Sequence, residues 1–151
     1  MAKRKLKSGL VGVAGEYFVA AELSRRGYIA SLTQRNSEGV DILCTTAKAK
    51  RALGIQVKTS SYSKPGWIMN EKAERFNAKN PFYVFVNLKK SGEIPDFFII
   101  PSKIVSDSVR TGHAKWLATP GKRVKTHKDT SMRYFRDRKL KYLNRWDLLG
   151  A

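Results

Sequence analysis

The sequence predicts an α/β domain with a central mixed β-sheet flanked by helices. Three observations predict it. Gly9 to Arg26 opens the chain with apolar residues at three- and four-residue steps, the period of a helix with one buried stripe. Asp41 to Cys44 and Ile55 to Thr59 alternate apolar and polar residues, the period of half-buried strands. Phe82 to Leu88 and Asp96 to Ile100 are aromatic, β-branched and nearly all apolar, as in strands covered on both faces.

In the opening helix the periodic residues are Leu10, Val13, Ala14, Tyr17, Phe18, Ala21 and Leu23, and Gly27 is placed as a terminator. Glu16 falls on the inward stripe with Val13, Ala20 and Leu23. A carboxylate there is costly unless it is paired, metal-bound or turned out to solvent. Tyr28 to Thr33 reads as a first strand, and Gln34 to Gly39 as a polar loop.

The two alternating stretches then form a hairpin. If Thr46 to Arg51 turns near Lys48 and Ala49, Asp41 stands opposite Gln56, and Lys58 lies diagonally within side-chain reach. Thr59 to Gly66 reads as a loop able to touch phosphates. Asn70 caps a short helix to Lys79, with Glu71 and Glu74 in its first turns. Ser102 caps a second short helix, Lys103 to Val109. From Thr111 the pattern weakens into a basic loop, Pro120 to Lys128. A last helix, Arg138 to Leu149, carries Leu140, Leu143, Trp146 and Leu149. No repeat or linker divides the chain, so residues 1–151 are expected to form one domain, with residues 1–8 a basic arm.

Charge points to a partner. Against 12 acidic residues stand 30 Lys and Arg, a net +18. Self-repulsion of that size destabilises a compact chain unless something anionic offsets it. DNA is the expected partner, held by Lys3, Arg4, Lys5, Lys7, Lys64, Lys122, Arg123, Lys125 and Lys128. The basic residues do not line one face of a long amphipathic helix, and no apolar run has membrane-spanning length, so no membrane is expected. The single Cys44 permits no internal disulfide and falls on the apolar side of its strand. His113 and His127 lack zinc-ligand spacing. Glu16 interrupts the apolar run after the basic N-terminus, so that segment does not read as a signal peptide. These features lead to the expectation of a cytoplasmic protein.

Asp41, Gln56 and Lys58 bring a carboxylate, a carboxamide and an ammonium to one sheet face. Phosphodiester hydrolysis needs a divalent metal that neutralises charge and lowers the pKa of attacking water. Magnesium accepts one or two carboxylates plus neutral oxygens. Asp41 can supply the carboxylate, and the Gln56 side chain and Val57 carbonyl the neutral oxygens. Glu16 could reach the site from the helix, and Lys58 could orient water or stabilise the transition state. On spacing alone, an ordinary cross-strand ion pair between Asp41 and Lys58 explains the same residues equally well.

The order Gly15-Glu16 on an opening helix, Gly39-Val40-Asp41 on a strand and Gln56-Val57-Lys58 on the next is similar to the PD-(D/E)XK nuclease superfamily. That superfamily includes type II restriction enzymes, archaeal Holliday-junction resolvases and some homing endonucleases. The resemblance covers about the first 60 residues. It implies a restriction-endonuclease-like fold and a DNA endonuclease using Mg2+, with Mn2+ as a substitute. By that likeness Asp41, Gln56 and Lys58 match the catalytic motif, and Glu16 the additional metal ligand. Val40 stands in place of the motif's proline, and Gln56 in place of its second acidic residue. A homo-oligomer, dimer or higher, is expected, since cutting two strands calls for two sites. The alternative is a non-catalytic nucleic-acid-binding protein on a degenerate nuclease fold.

Overall fold

The first helix, α1, spans Ser8–Arg25. It stops where Gly27 adopts φ of 84°, a left-handed conformation that costs glycine no Cβ clash. The computed structural model describes residues 5–34, 39–46, 51–61, 64–75 and 81–150. After α1 come β1 (Tyr28–Leu32), β2 (Ile42–Thr46), β3 (Ala52–Ser60), β4 (Trp67–Asn70), β5 (Phe82–Asn87) and β6 (Asp96–Pro101). The second helix, α2 (Ser102–Ala118), and β7 (Met132–Phe135) follow.

Five strands form the main sheet in the order β1-β2-β3-β5-β6. All neighbours are antiparallel except β3 and β5, so the sheet is mixed. Side chains of successive residues point to opposite faces, so the apolar strands β5 and β6 feed two cores. On one face Val84, Val86, Phe97 and Ile99 join Ile42, Ile55 and Val57 beneath Val19 and Leu23 of α1. On the other, Tyr83, Phe85, Phe98 and Ile100 pack against Val105 and Val109 of α2 and Trp67, Met69 and Phe135 of a two-stranded sheet, β4-β7. Trp67 is buried there and donates its indole N–H to the Val86 carbonyl at 3.0 Å. The expected two-sided cover of these strands is thus present.

One close approach sets the position of α1. A Cβ on Gly15 would lie 1.8 Å from the Thr59 hydroxyl oxygen, so only glycine lets the helix backbone rest on β3 at that point.

Five expectations are corrected. The buried stripe of α1 is Val11, Gly15, Val19 and Leu23, while Leu10, Tyr17 and Phe18 of the expected periodic set are exposed. β3 continues to Ser60, so the loop after the hairpin starts later than Thr59. Where a helix is expected over Asn70 to Lys79, the described part forms a 3-10 turn, Glu71–Glu74, and residues 76–79 lie outside the described residues. Asn70 does cap the turn, accepting from the Lys72 N–H at 3.1 Å, but Arg75 is already extended. The helix expected to end at Val109 runs to Ala118, and Ser102 is its first residue rather than its cap. The final helix is absent: Leu140 and Asn144 have positive φ, 53° and 54°, which breaks the pattern into turns, and only Trp146–Leu149 forms a 3-10 turn. The turn expected at Lys48 and Ala49 lies outside the described residues. No helix among the described residues is long and apolar enough to cross a membrane.

Candidate active site

Asp41 stands one residue before β2, where that strand ends and β3 runs on. Its N–H donates to the Ile55 carbonyl at 2.9 Å, and its carbonyl accepts from the Thr33 N–H at 2.9 Å. The Thr33 hydroxyl donates to the Val40 carbonyl at 2.5 Å, closing the entry from β1. The observed register pairs Ile42 with Ile55. Continued by one residue, it sets Asp41 opposite Gln56, the alignment expected for a hairpin turning near Lys48 and Ala49.

The Asp41 carboxylate fills the place of a missing ladder partner. Its Oδ2 accepts from the main-chain N–H of Val57 at 2.7 Å. A strand residue's N–H and C=O point to the same side, so the Val57 carbonyl faces the same strand edge. The Asp41 carboxylate and the Val57 carbonyl therefore share the edge where β2 stops, with Gln56 at the register position opposite Asp41.

Gln56 and Lys58 are half-buried, on the sheet face opposite Ile55 and Val57. Across the parallel ladder they pair with Tyr83 and Phe85. Gln56, Lys58 and Tyr83 line a cleft of about 360 Å3, whose other wall includes Asn70, Lys72 and Arg75. Burial, and then the Asp41 charge, push the Tyr83 phenol above its ordinary pKa, which places the carboxylate's field on the cleft floor. Glu16 is half-buried on α1, one residue after the Gly15–Thr59 approach, and α1 covers the Ile55 and Val57 face of β3, opposite that of Gln56 and Lys58.

Hard oxygen donors are what magnesium takes, and this edge offers them from Asp41, Gln56 and Val57. Among the described residues no three His, Cys, Asp or Glu side chains gather as a metal site. The oxygen-bearing groups at this edge are one carboxylate, one carboxamide and one main-chain carbonyl.

The expected DNA-gripping residues lie elsewhere. Lys5 and Lys7 are exposed just before α1, and Lys64 is exposed in the loop before β4. Lys3 and Arg4 fall outside the described residues. Lys122, Arg123, Lys125 and Lys128 are exposed on the loop after α2. That loop is fastened to α2: His127 stacks on Trp116 with centroids 4.2 Å apart, and Asp129 bonds the His113 ring at 2.8 Å. Of these cations, none of the described ones lines the cleft.

Lys72, Arg75 and Tyr83 do line it, and sequence reading passed over them. Tyr83 sits in an apolar strand and reads as core. Lys72 and Arg75 are three apart behind the Asn70 cap, a spacing that could have flagged a shared face.

No family model matches the sequence, and no curated protein matches it. Among solved structures, the chain is similar to a bacterial homing endonuclease, I-Ssp6803I. The TM-score is 0.56 over 95% of this chain and 92% of that one, with 11% sequence identity. At that identity the likeness is one of fold: an α/β architecture with a mixed central sheet flanked by helices.

Proposed function

We propose that this protein is a metal-dependent DNA endonuclease that hydrolyses phosphodiester bonds at the edge where β2 ends. One observation carries the reading. The Asp41 carboxylate is fixed by the Val57 N–H, opposite Gln56 and beside the cleft that holds Lys58. An ordinary ion pair is not what holds it: Asp41 takes a main-chain donor, and no salt bridge joins it to Lys58 among the described residues. The shared fold of a homing endonuclease supports the same class of chemistry.

Asp41, Gln56, the Val57 carbonyl and Glu16 would hold Mg2+, with Mn2+ as a substitute. The ion supplies charge neutralisation and a lower pKa for attacking water. Val57 orients Asp41 through its N–H. Lys58 offers an ammonium on the cleft floor, where it stabilises the negative charge that develops on the phosphate. Exposed lysines and arginines hold the DNA backbone, and the net +18 steers it in. Two copies of the chain would supply one site per strand.

The test is incubation with plasmid, branched and single-stranded DNA, with magnesium, manganese or chelator. Metal-dependent cleavage that Lys58→Ala abolishes is expected. The second reading, a non-catalytic binder, is favoured by the carboxamide of Gln56, and it predicts binding to the same DNAs without cleavage in any metal.

A further inference from the structure

Lys72 and Arg75 enter the cleft from the wall facing Gln56 and Lys58, on a turn held at several points. Asn70 caps it through the Lys72 N–H, and the Glu71 N–H donates to the Ser131 carbonyl at 2.8 Å. Arg133, 7% exposed, donates its Nε–H to Glu74 at 2.5 Å and its Nη1–H to the Thr130 carbonyl at 2.6 Å. The strut ties the turn to β7 and engages the Glu74 carboxylate. The turn's other carboxylate, Glu71, does not line the cleft.

Three cations therefore share one cleft: Lys58, Lys72 and Arg75. None of them is in a salt bridge among the described residues, whereas Lys103 and Arg110 on α2 both engage Asp107. Among the described residues that line the cleft there is no carboxylate. Like charges converging on one concave surface are unfavourable until an anion enters, and a low-dielectric cleft concentrates their field.

We propose that Lys72 and Arg75 form a second phosphate-holding site, taking a phosphate of the same DNA backbone whose neighbouring phosphate lies against Lys58. The assignment rests on the nuclease reading for its substrate class. Arg75 can take phosphate oxygens in a fork, and Lys72 acts as a point charge beside it. The Glu74–Arg133 strut acts as a positioning element, because it sets the turn before DNA arrives. The grip binds substrate without touching the reacting atoms, so it governs affinity rather than the rate of the bound complex.

The experiment measures binding of a short duplex in chelator across a salt series, and cleavage at saturating DNA with magnesium. Each phosphate contact contributes about 0.9 to the log–log salt slope. The Lys72→Ala/Arg75→Ala protein should lose about 1.8 from that slope and bind at least ten-fold more weakly, with the rate at saturation within two-fold of wild type. Lys72→Arg/Arg75→Lys keeps both charges and should restore the slope. Lys103→Ala/Arg110→Ala, equal in charge lost but already engaged by Asp107, should change it by less than half as much. A wild-type slope and affinity in the cleft variant, or an equal loss in the α2 control, overturns the grip while leaving the cleavage chemistry standing. A slope lost as expected in a wild-type background that never cuts upholds the grip and removes the nuclease reading. Absence of duplex binding by the wild-type protein overturns both.

Discussion

The Val57 main-chain N–H donates to Asp41 Oδ2 at 2.7 Å, across the point where β2 stops and β3 continues. A carboxylate thus takes the place of a backbone acceptor. The arrangement predicts different fates for two substitutions. Asp41→Asn keeps an oxygen for Val57, so thermal stability should stay close to wild type while cleavage is lost. Asp41→Ala leaves the N–H without its partner, at a cost of about 1–3 kcal/mol. Denaturant titration of the two proteins checks this: equal stability would mean that the hydrogen bond contributes nothing.

Gln56 and Glu16 offer a test through metal demand. Gln56→Glu adds a carboxylate and should preserve cleavage or lower the magnesium it requires. Glu16→Gln should raise that requirement. The double substitution should partly restore it, because ligands sharing one ion do not act additively. A magnesium titration reading strict additivity, or no change from Glu16→Gln, would take Glu16 out of the site.

Gly15 and Gly12 lie one turn apart on α1 and should respond in opposite directions. A Cβ at Gly15 meets Thr59, whereas one at Gly12 meets nothing within 4 Å. Gly15→Ala should destabilise by about 1–3 kcal/mol, as overpacking does. Gly12→Ala should stabilise by up to about 1 kcal/mol through helix propensity. Because Gly15 also seats Glu16 beside β3, its substitution should raise the magnesium requirement too. Unchanged stability on Gly15→Ala would show that α1 does not rest on Thr59.

How much of this was legible in the sequence follows from range. A turn placed near Lys48 and Ala49 aligned Asp41 with Gln56, and alternation supported it, because one strand face must be apolar and a one-residue slip would invert it. The apolar runs of β5 and β6 announced a sheet covered on both sides. β4 and β7, four residues each and joined across more than 60 positions, carry too short a period to announce themselves. Their pairing depends on Trp67 and Phe135 packing against β5 and β6. The second half of α2 was hidden by Thr111 and Gly112. It persists where Trp116 stacks between His113 and His127 and where the Thr111 and Thr119 hydroxyls bond carbonyls one turn back. The cleft wall at Lys72 and Arg75 depends on those same long-range contacts: their three-residue spacing marks a shared face but not the strand it faces.

Cys44 supplies a pH test of the core beneath α1. Burial pushes its thiol from 9.0 up to about 11. The native thiol should stay neutral and resist alkylation at pH 8, and react at the rate of a free cysteine only on unfolding. The sign of the linkage follows. The unfolded chain loses this proton first, so stability should fall as pH rises from about 9 to about 11. Rapid labelling of the folded protein at pH 8 would contradict the burial.

The most direct measurement is nicking of supercoiled plasmid in magnesium by wild-type protein and by Lys58→Ala, alongside duplex binding of both in chelator. The account predicts metal-dependent nicking by the wild type and a loss of about 100-fold or more in the variant, the scale of removing one charge-stabilising group. Binding should differ by less than ten-fold. Nicking by Lys58→Ala at the wild-type rate, with its binding intact, would contradict the account.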